Sequence, residues 1–107
     1  MKVGIDIVNN NRLQSKINNS FLNLILSNRE LEEYWSRNNK IQYLAGRIAA
    51  KEAVIKCLKN ESITEMKEIV LLNNSNGDPF VNYKGYEIDV SISHEVDYTI
   101  AIAIIQE

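Results

Sequence analysis

A chain of 107 residues and 12.3 kDa with 45% hydrophobic residues can build one modest core and has nothing to spare for a second, so residues 1–107 are expected to form a single domain. A net charge of −2 and a pI near 5.4 exclude general attraction to nucleic acid or to an anionic membrane, so any basic site must be local. The single cysteine cannot form an internal disulfide, and no apolar run approaches the ~18 residues of a membrane span, which points to a soluble, cytoplasmic chain.

Lys2 to Val8 reads as a strand, because Val3, Ile5 and Ile7 alternate with Gly4 and Asp6. Asp6 is then on the face opposite those three, and a carboxylate amid a short apolar strand must find a partner, a cation or water. The plain alternative is an edge strand with one wet face. Asn9-Asn10-Asn11 breaks the strand, and a short helix is expected from Arg12 to Ile17. Phe21 to Leu26 holds enough apolar residues for a buried turn or two of helix. Ser27 followed by Glu30 is a capping-box pattern that starts a helix at Asn28 and carries it to about Arg37. Asn38-Asn39-Lys40 is a loop.

Tyr43 to Lys59 has no proline, is dominated by alanine and straight-chain residues, and repeats its apolar residues at helical spacing, so it is expected to form one long central helix. Leu44, Ile48, Ile55 and Leu58 make one apolar stripe, and Tyr43, Ala50, Val54 and Cys57 make a second, roughly opposite. Such a helix is buried on both sides, within one domain or against another subunit. Arg47 and Lys51 form one narrow polar edge. Glu52, Lys56 and Lys59 form the other, where Ala45 and Ala49 leave room for a ligand or another backbone. The plain reading of Glu52 and Lys56 is an i,i+4 ion pair worth roughly 0.2–0.5 kcal/mol. Cys57 reads as a reduced core residue.

After a polar connection from Asn60 to Met66 the period becomes alternating. Glu68 to Asn73 is a strand, Asn74 to Pro79 a dense turn signal, and Phe80 to Tyr83 a short strand closed by Lys84-Gly85. Tyr86, Ile88, Val90 and Ile92 alternate with polar residues up to a break at His94-Glu95-Val96-Asp97. Tyr98 to Ile105 is apolar at nearly every position, as expected of a central strand covered on both faces. The layout predicts an α+β fold: a mainly antiparallel sheet with a long central helix and shorter helices packed on it.

Taken singly, His94 is a turn histidine, Arg47 a helix charge and Asn76-Gly77-Asp78-Pro79 a turn. There is no Gly-rich phosphate loop, no Cys or His pair at metal spacing and no serine or cysteine triad. Taken together the pieces carry more. Gly4-Ile5-Asp6-Ile7-Val8, Phe21 through Ser27 with Glu30, Tyr43-Leu44-Ala45-Gly46-Arg47-Ile48-Ala49-Ala50-Lys51-Glu52-Ala53 with Lys56, Asn76-Gly77-Asp78-Pro79, and Val90-Ser91-Ile92-Ser93-His94 with Tyr98 resemble the holo-[acyl-carrier-protein] synthases in residue type, order and spacing. These are the small bacterial 4'-phosphopantetheinyl transferases, and the resemblance spans essentially the whole chain.

The resemblance implies Mg²⁺-dependent transfer of the phosphopantetheine arm of coenzyme A onto a serine of apo acyl carrier protein, releasing adenosine 3',5'-bisphosphate, in fatty acid biosynthesis. It assigns Asp6 and Glu52 to Mg²⁺, Lys56 to the diphosphate as a catalytic charge, and Arg47, Asn76, Gly77, Pro79 and His94 to coenzyme A. Two hard carboxylates suit an ion that fills its other positions with water and phosphate oxygens. Arg12 matches a basic residue that meets the acidic carrier protein, and the family implies a homotrimer with active sites at the subunit interfaces. The general base stays open between a metal-bound water and Glu52. Leu24 stands where many members have arginine, Lys59-Asn60-Glu61-Ser62 replaces a glycine-rich turn, Glu95 follows His94 where threonine or aspartate is common, and the first glycine of the family's strand motif has no clean counterpart. With those departures, the alternative is a non-catalytic carrier-protein or coenzyme A binding module of the same fold.

Overall fold

The computed structural model describes residues 1–59, 61–63 and 65–106. Strand β1 (Lys2–Asn9) leads into α1 (Asn10–Gln14), α2 (Asn19–Ile25), α3 (Asn28–Ser36) and the long α4 (Lys40–Cys57). A 3-10 turn (Met66–Glu68) precedes β2 (Leu71–Asn73), β3 (Pro79–Tyr83), β4 (Tyr86–His94) and β5 (Tyr98–Ile105). Every pair of neighbouring strands is antiparallel, in the order β1-β5-β4-β3-β2, so the two ends of the chain meet with Lys2 opposite Ile105 and Asp6 opposite Ala101. This is the α+β architecture that the sequence predicts.

The many asparagines have a structural use. Asn9, Asn18 and Asn39 each accept a first-turn amide with the side chain, from Arg12, Phe21 and Gln42 respectively, and so start α1, α2 and α4. Ser27 and Glu30 complete the expected capping box, with Glu30 Oε1 accepting from the Ser27 amide at 3.0 Å and Ser27 Oγ accepting from the Glu30 amide at 3.3 Å. Capping explains two boundary differences: α1 starts at Asn10 rather than Arg12, and α4 at Lys40 rather than Tyr43. A third difference lies at the strand expected from Glu68, which starts at Leu71 because Met66–Glu68 wind into the 3-10 turn. Of the connection expected over Asn60 to Met66, Asn60 and Thr64 lie outside the described residues.

Helix α4 is buried on both sides, and within one chain. Ala49, Ala50, Ala53, Val54, Cys57 and Leu58 pack on the sheet, whereas Leu44 and Ala45 pack with Leu13, Leu22, Ile25, Leu26 and Tyr34 of the other helices. The two cores divide the helix by length rather than by the two expected stripes: Tyr43 sides with Leu44, and Ile55 and Leu58 with the sheet. Gly4 lets β1 lie directly on the helix, since a Cβ there would sit 1.9 Å from the Ala53 carbonyl oxygen. Cys57 is buried as expected, its Sγ donating to the Ala103 carbonyl at 3.0 Å. Lys51 corrects the sequence reading. It is fully buried rather than on a polar edge, and its Nζ donates to Ile25 O and Glu30 Oε1, both at 2.6 Å.

The sheet is covered on one face only. Strand β5 is central, with Thr99, Ala101, Ala103 and Ile105 buried under α4, but its other face is open. There Val3, Ile5, Ile7, Tyr98 and Ile100 are between 39% and 60% exposed, so the open face of edge strand β1 is its apolar one. Among the described residues no helix is long and apolar enough to cross a membrane.

Candidate active site

The pleat that puts Gly4 against α4 turns Asp6 the same way, because side chains two apart share a face. Asp6 and Glu52 line one cavity of about 420 Å³, into which Arg12 and Lys16 also bring positive charge. Lys56 reaches from α4 to β1, where its Nζ donates to the Ile5 carbonyl at 2.8 Å and to Asp6 Oδ1 at 3.1 Å. The i,i+4 pair of Glu52 with Lys56 is therefore not the arrangement adopted. Among the described residues the Glu52 carboxylate takes no hydrogen bond or ion pair, and neither does Asp6 Oδ2. No group of three or more His, Cys, Asp or Glu among the described residues is placed to hold a metal. A cation between Asp6 and Glu52 would thus have two hard protein oxygens and several open positions, which fits Mg²⁺ and not a closed zinc site.

Arg47 and His94 line a different cavity, of about 300 Å³, with Arg37, Gln42, Tyr43 and Gly46. Gly46 admits the imidazole: a Cβ at that position would lie 3.2 Å from His94 Cε1. The Arg47 guanidinium lies over the Tyr43 ring, 4.6 Å from its centroid, with Nη2 3.6 Å from Glu33 Oε1 and Nε 3.6 Å from Glu30 Oε2. Glu30 Oε2 and Arg47 Nε are buried without a hydrogen-bond partner. Charge and stacking hold Arg47, and donors of its planar fork stay available for an anion.

Tyr43 donates its hydroxyl to Glu33 Oε1 at 2.6 Å. Burial and that bond push its pKa up to about 12. For Glu33, burial acts upward, but the Tyr43 hydroxyl and the charges of Arg47, Arg37 and Arg29 outweigh it and hold the carboxyl below its usual value. Burial pulls His94 below the usual imidazole value, so the ring is neutral near pH 7.

Within one chain the expected site residues therefore occupy three places. Asp6, Glu52, Lys56 and Arg12 gather between β1 and α4, and Arg47 and His94 between α4 and β4. Asn76, Gly77 and Pro79 stand apart at the β2–β3 turn, by the sheet edge opposite β1, and line neither cavity. That turn is organised by Asn74, whose Oδ1 accepts from the Asn76 and Asp78 amides, and by Gly77 at φ 87. The sequence reading missed Tyr43 and Glu33 as the bed of Arg47, and saw Glu30 only as a cap. It also missed Asn10 and Thr99 behind His94, although Thr99 is the one polar side chain in the run from Thr99 to Ile105.

The family model of the 4'-phosphopantetheinyl transferase superfamily matches residues 2–103. The chain is 40% identical over 108 residues to a holo-[acyl-carrier-protein] synthase of Thermodesulfovibrio yellowstonii, covering 96% of each protein. It is similar to the crystal structure of holo-[acyl-carrier-protein] synthase from Neisseria meningitidis, with a TM-score of 0.86 at 27% identity over 99% of this chain and 98% of that one. The holo-(acyl-carrier-protein) synthase from Bacillus anthracis, solved in complex with CoA (3',5'-ADP), has a TM-score of 0.83 at 26% identity over 97% of this chain and 94% of that one.

Proposed function

The chain belongs to the 4'-phosphopantetheinyl transferase superfamily, and from that premise we propose that it moves the 4'-phosphopantetheine group of coenzyme A onto a serine of apo acyl carrier protein, as a Mg²⁺-dependent cytoplasmic enzyme of fatty acid biosynthesis. One observation carries the reading: two carboxylates from distant parts of the sequence, Asp6 and Glu52, line one cavity with a lysine seated on one of them. The serine oxygen forms a bond to the phosphorus that bears pantetheine. The diphosphate bridge breaks, and adenosine 3',5'-bisphosphate leaves with the bonding electrons while the serine proton passes to a base.

Asp6 and Glu52 would hold the cation, and Mg²⁺ there would supply positive charge against the charge that builds up on the diphosphate. Lys56 pairs with the Asp6 carboxylate and offers its remaining N–H to a bridging oxygen. Arg47 presents its fork to phosphate from the bed of Tyr43 and Glu33, and His94 meets the nucleotide phosphates beside it. Arg12 and Lys16 give an acidic carrier protein a local positive surface on an acidic enzyme.

The separation of the two cavities supports a shared site. A homotrimer packed through Val3, Ile5, Ile7 and Ile100 covers the open sheet face and brings Asp6 and Glu52 of one copy up to Arg47, His94 and the Asn76–Pro79 turn of the next. The test is to incubate the chain with apo acyl carrier protein, coenzyme A and Mg²⁺ and to weigh the carrier. A carrier heavier by one phosphopantetheine, and unchanged when the metal is chelated, is the expected result. An unmodified carrier with coenzyme A still bound overturns the enzyme reading in favour of a binding module.

A further inference from the structure

Behind His94 runs a chain of hydrogen bonds whose directions can be worked out from one end. Asn10 Nδ2 lies 3.2 Å from the Glu95 carbonyl oxygen and 3.1 Å from that of Val96, and neither has a proton to give. The amide nitrogen must face them, so Asn10 Oδ1 faces Thr99 Oγ1 at 3.0 Å and can only accept. Thr99 thus gives its one hydroxyl proton to Asn10, and its lone pairs face His94 Nδ1 at 3.1 Å. The nitrogen at that distance from a lone pair must itself carry the proton. Thr99 is fully buried and Asn10 nearly so, so the directions are set by the protein's own groups.

We propose that Thr99 and Asn10 are positioning residues that hold the neutral ring of His94 as the Nδ1–H tautomer, so that Nε2 enters the ligand cavity as a hydrogen-bond acceptor. The inference rests on the transferase reading only for the identity of the ligand. A coenzyme A phosphate oxygen meeting that nitrogen must share a proton with it, carried in on the phosphate or taken up by the ring, whereas the opposite tautomer would offer an N–H at once. The charged groups around the ring are Arg37 and Arg47 in one cavity and Glu95 in the other.

His94 is the only histidine, so its ring nitrogens give an unambiguous ¹⁵N spectrum in the whole protein. Above the ring's pKa and without coenzyme A, Nδ1 is expected to resonate as a protonated, pyrrole-type nitrogen and Nε2 as a bare, pyridine-type one. Thr99→Val, which keeps the shape and removes the hydroxyl, should move the ring toward the Nε2–H form and, because that form offers its N–H to phosphate at once, lower KM for coenzyme A several-fold with little change in kcat. Thr99→Ser should restore both. An Nε2–H spectrum in the unsubstituted chain overturns the proposal, as does a Thr99→Val spectrum unchanged from it. If the valine variant does not fold, the unsubstituted spectrum decides alone. Because the spectrum needs no turnover, a chain with the expected tautomer and no transferase activity would sink the transferase reading and leave the positioning role standing.

Discussion

Lys51 and Glu52 are adjacent in sequence and opposite in circumstance. Lys51 is fully buried with its ammonium on Glu30, while Glu52 faces a cavity with no protein partner among the described residues. Lys51→Met strands the Glu30 carboxylate inside the core and should cost about 3–5 kcal/mol in urea unfolding, part of which Glu30→Gln in the same chain recovers. Glu52→Gln breaks no contact, so its stability should stay within about 0.5 kcal/mol of the unsubstituted chain. Its turnover should nevertheless fall on the order of 10²–10³-fold through loss of the proposed cation ligand. The sequence could name Glu52, because the segment around it resembles a known motif. It could not place Lys51, because helical spacing groups Lys51 with Arg47 and says nothing of Glu30 arriving from another helix. Tyr43 was likewise read only as apolar. With its folded pKa raised from 10.0 to about 12, the folded chain holds a proton that the unfolded chain releases, so stability should fall as pH rises from 10 toward 12. Comparing urea midpoints across that range with those of Tyr43→Phe, which lacks the effect, measures it.

Two glycines, one on β1 packed against α4 and one within α4, show how one element serves both fold and site. At Gly4 a methyl group would collide with backbone, the Ala53 carbonyl, and neither β1 nor α4 can withdraw without opening the sheet core. Gly4→Ala should therefore cost at or above the top of the ~1–3 kcal/mol typical of overpacking. At Gly46 the same methyl crowds only side chains, the His94 ring edge at 3.2 Å and, at ordinary contact distance, Ile92, and the ring can give way. Gly46→Ala should leave the unfolding midpoint almost unchanged and raise KM for coenzyme A, and thermal melts beside steady-state kinetics would separate the two cases. The elements themselves were readable, since apolar period and asparagine or serine caps are local properties. What period cannot say is which face of a strand is covered. Val3, Ile5 and Ile7 look like core residues, yet α4 sits on the Gly4 side because glycine permits the closer approach.

The open sheet face and the divided site are one problem seen twice. In a single chain, apolar residues up to 60% exposed stand beside the Asp6–Glu52 cavity, which lacks Arg47 and His94, and the proposed association through the sheet would resolve both. Ile7→Asp alters an exposed side chain, so the circular dichroism spectrum should persist while light scattering reports the single-chain mass and activity drops. A sharper test separates shared sites from sites contained in one chain. Chains carrying Arg47→Ala and chains carrying Glu52→Gln are each expected to be nearly inactive. Co-expressed in equal amounts, they assemble at random, and a site that draws Glu52 from one copy and Arg47 from its neighbour is intact whenever both halves come from the right parent. Chance then restores about a quarter of the sites in a closed ring of copies. Activity near that fraction means that catalysis belongs to the assembly, and activity no higher than in the separate variants would mean that each chain carries its own complete site.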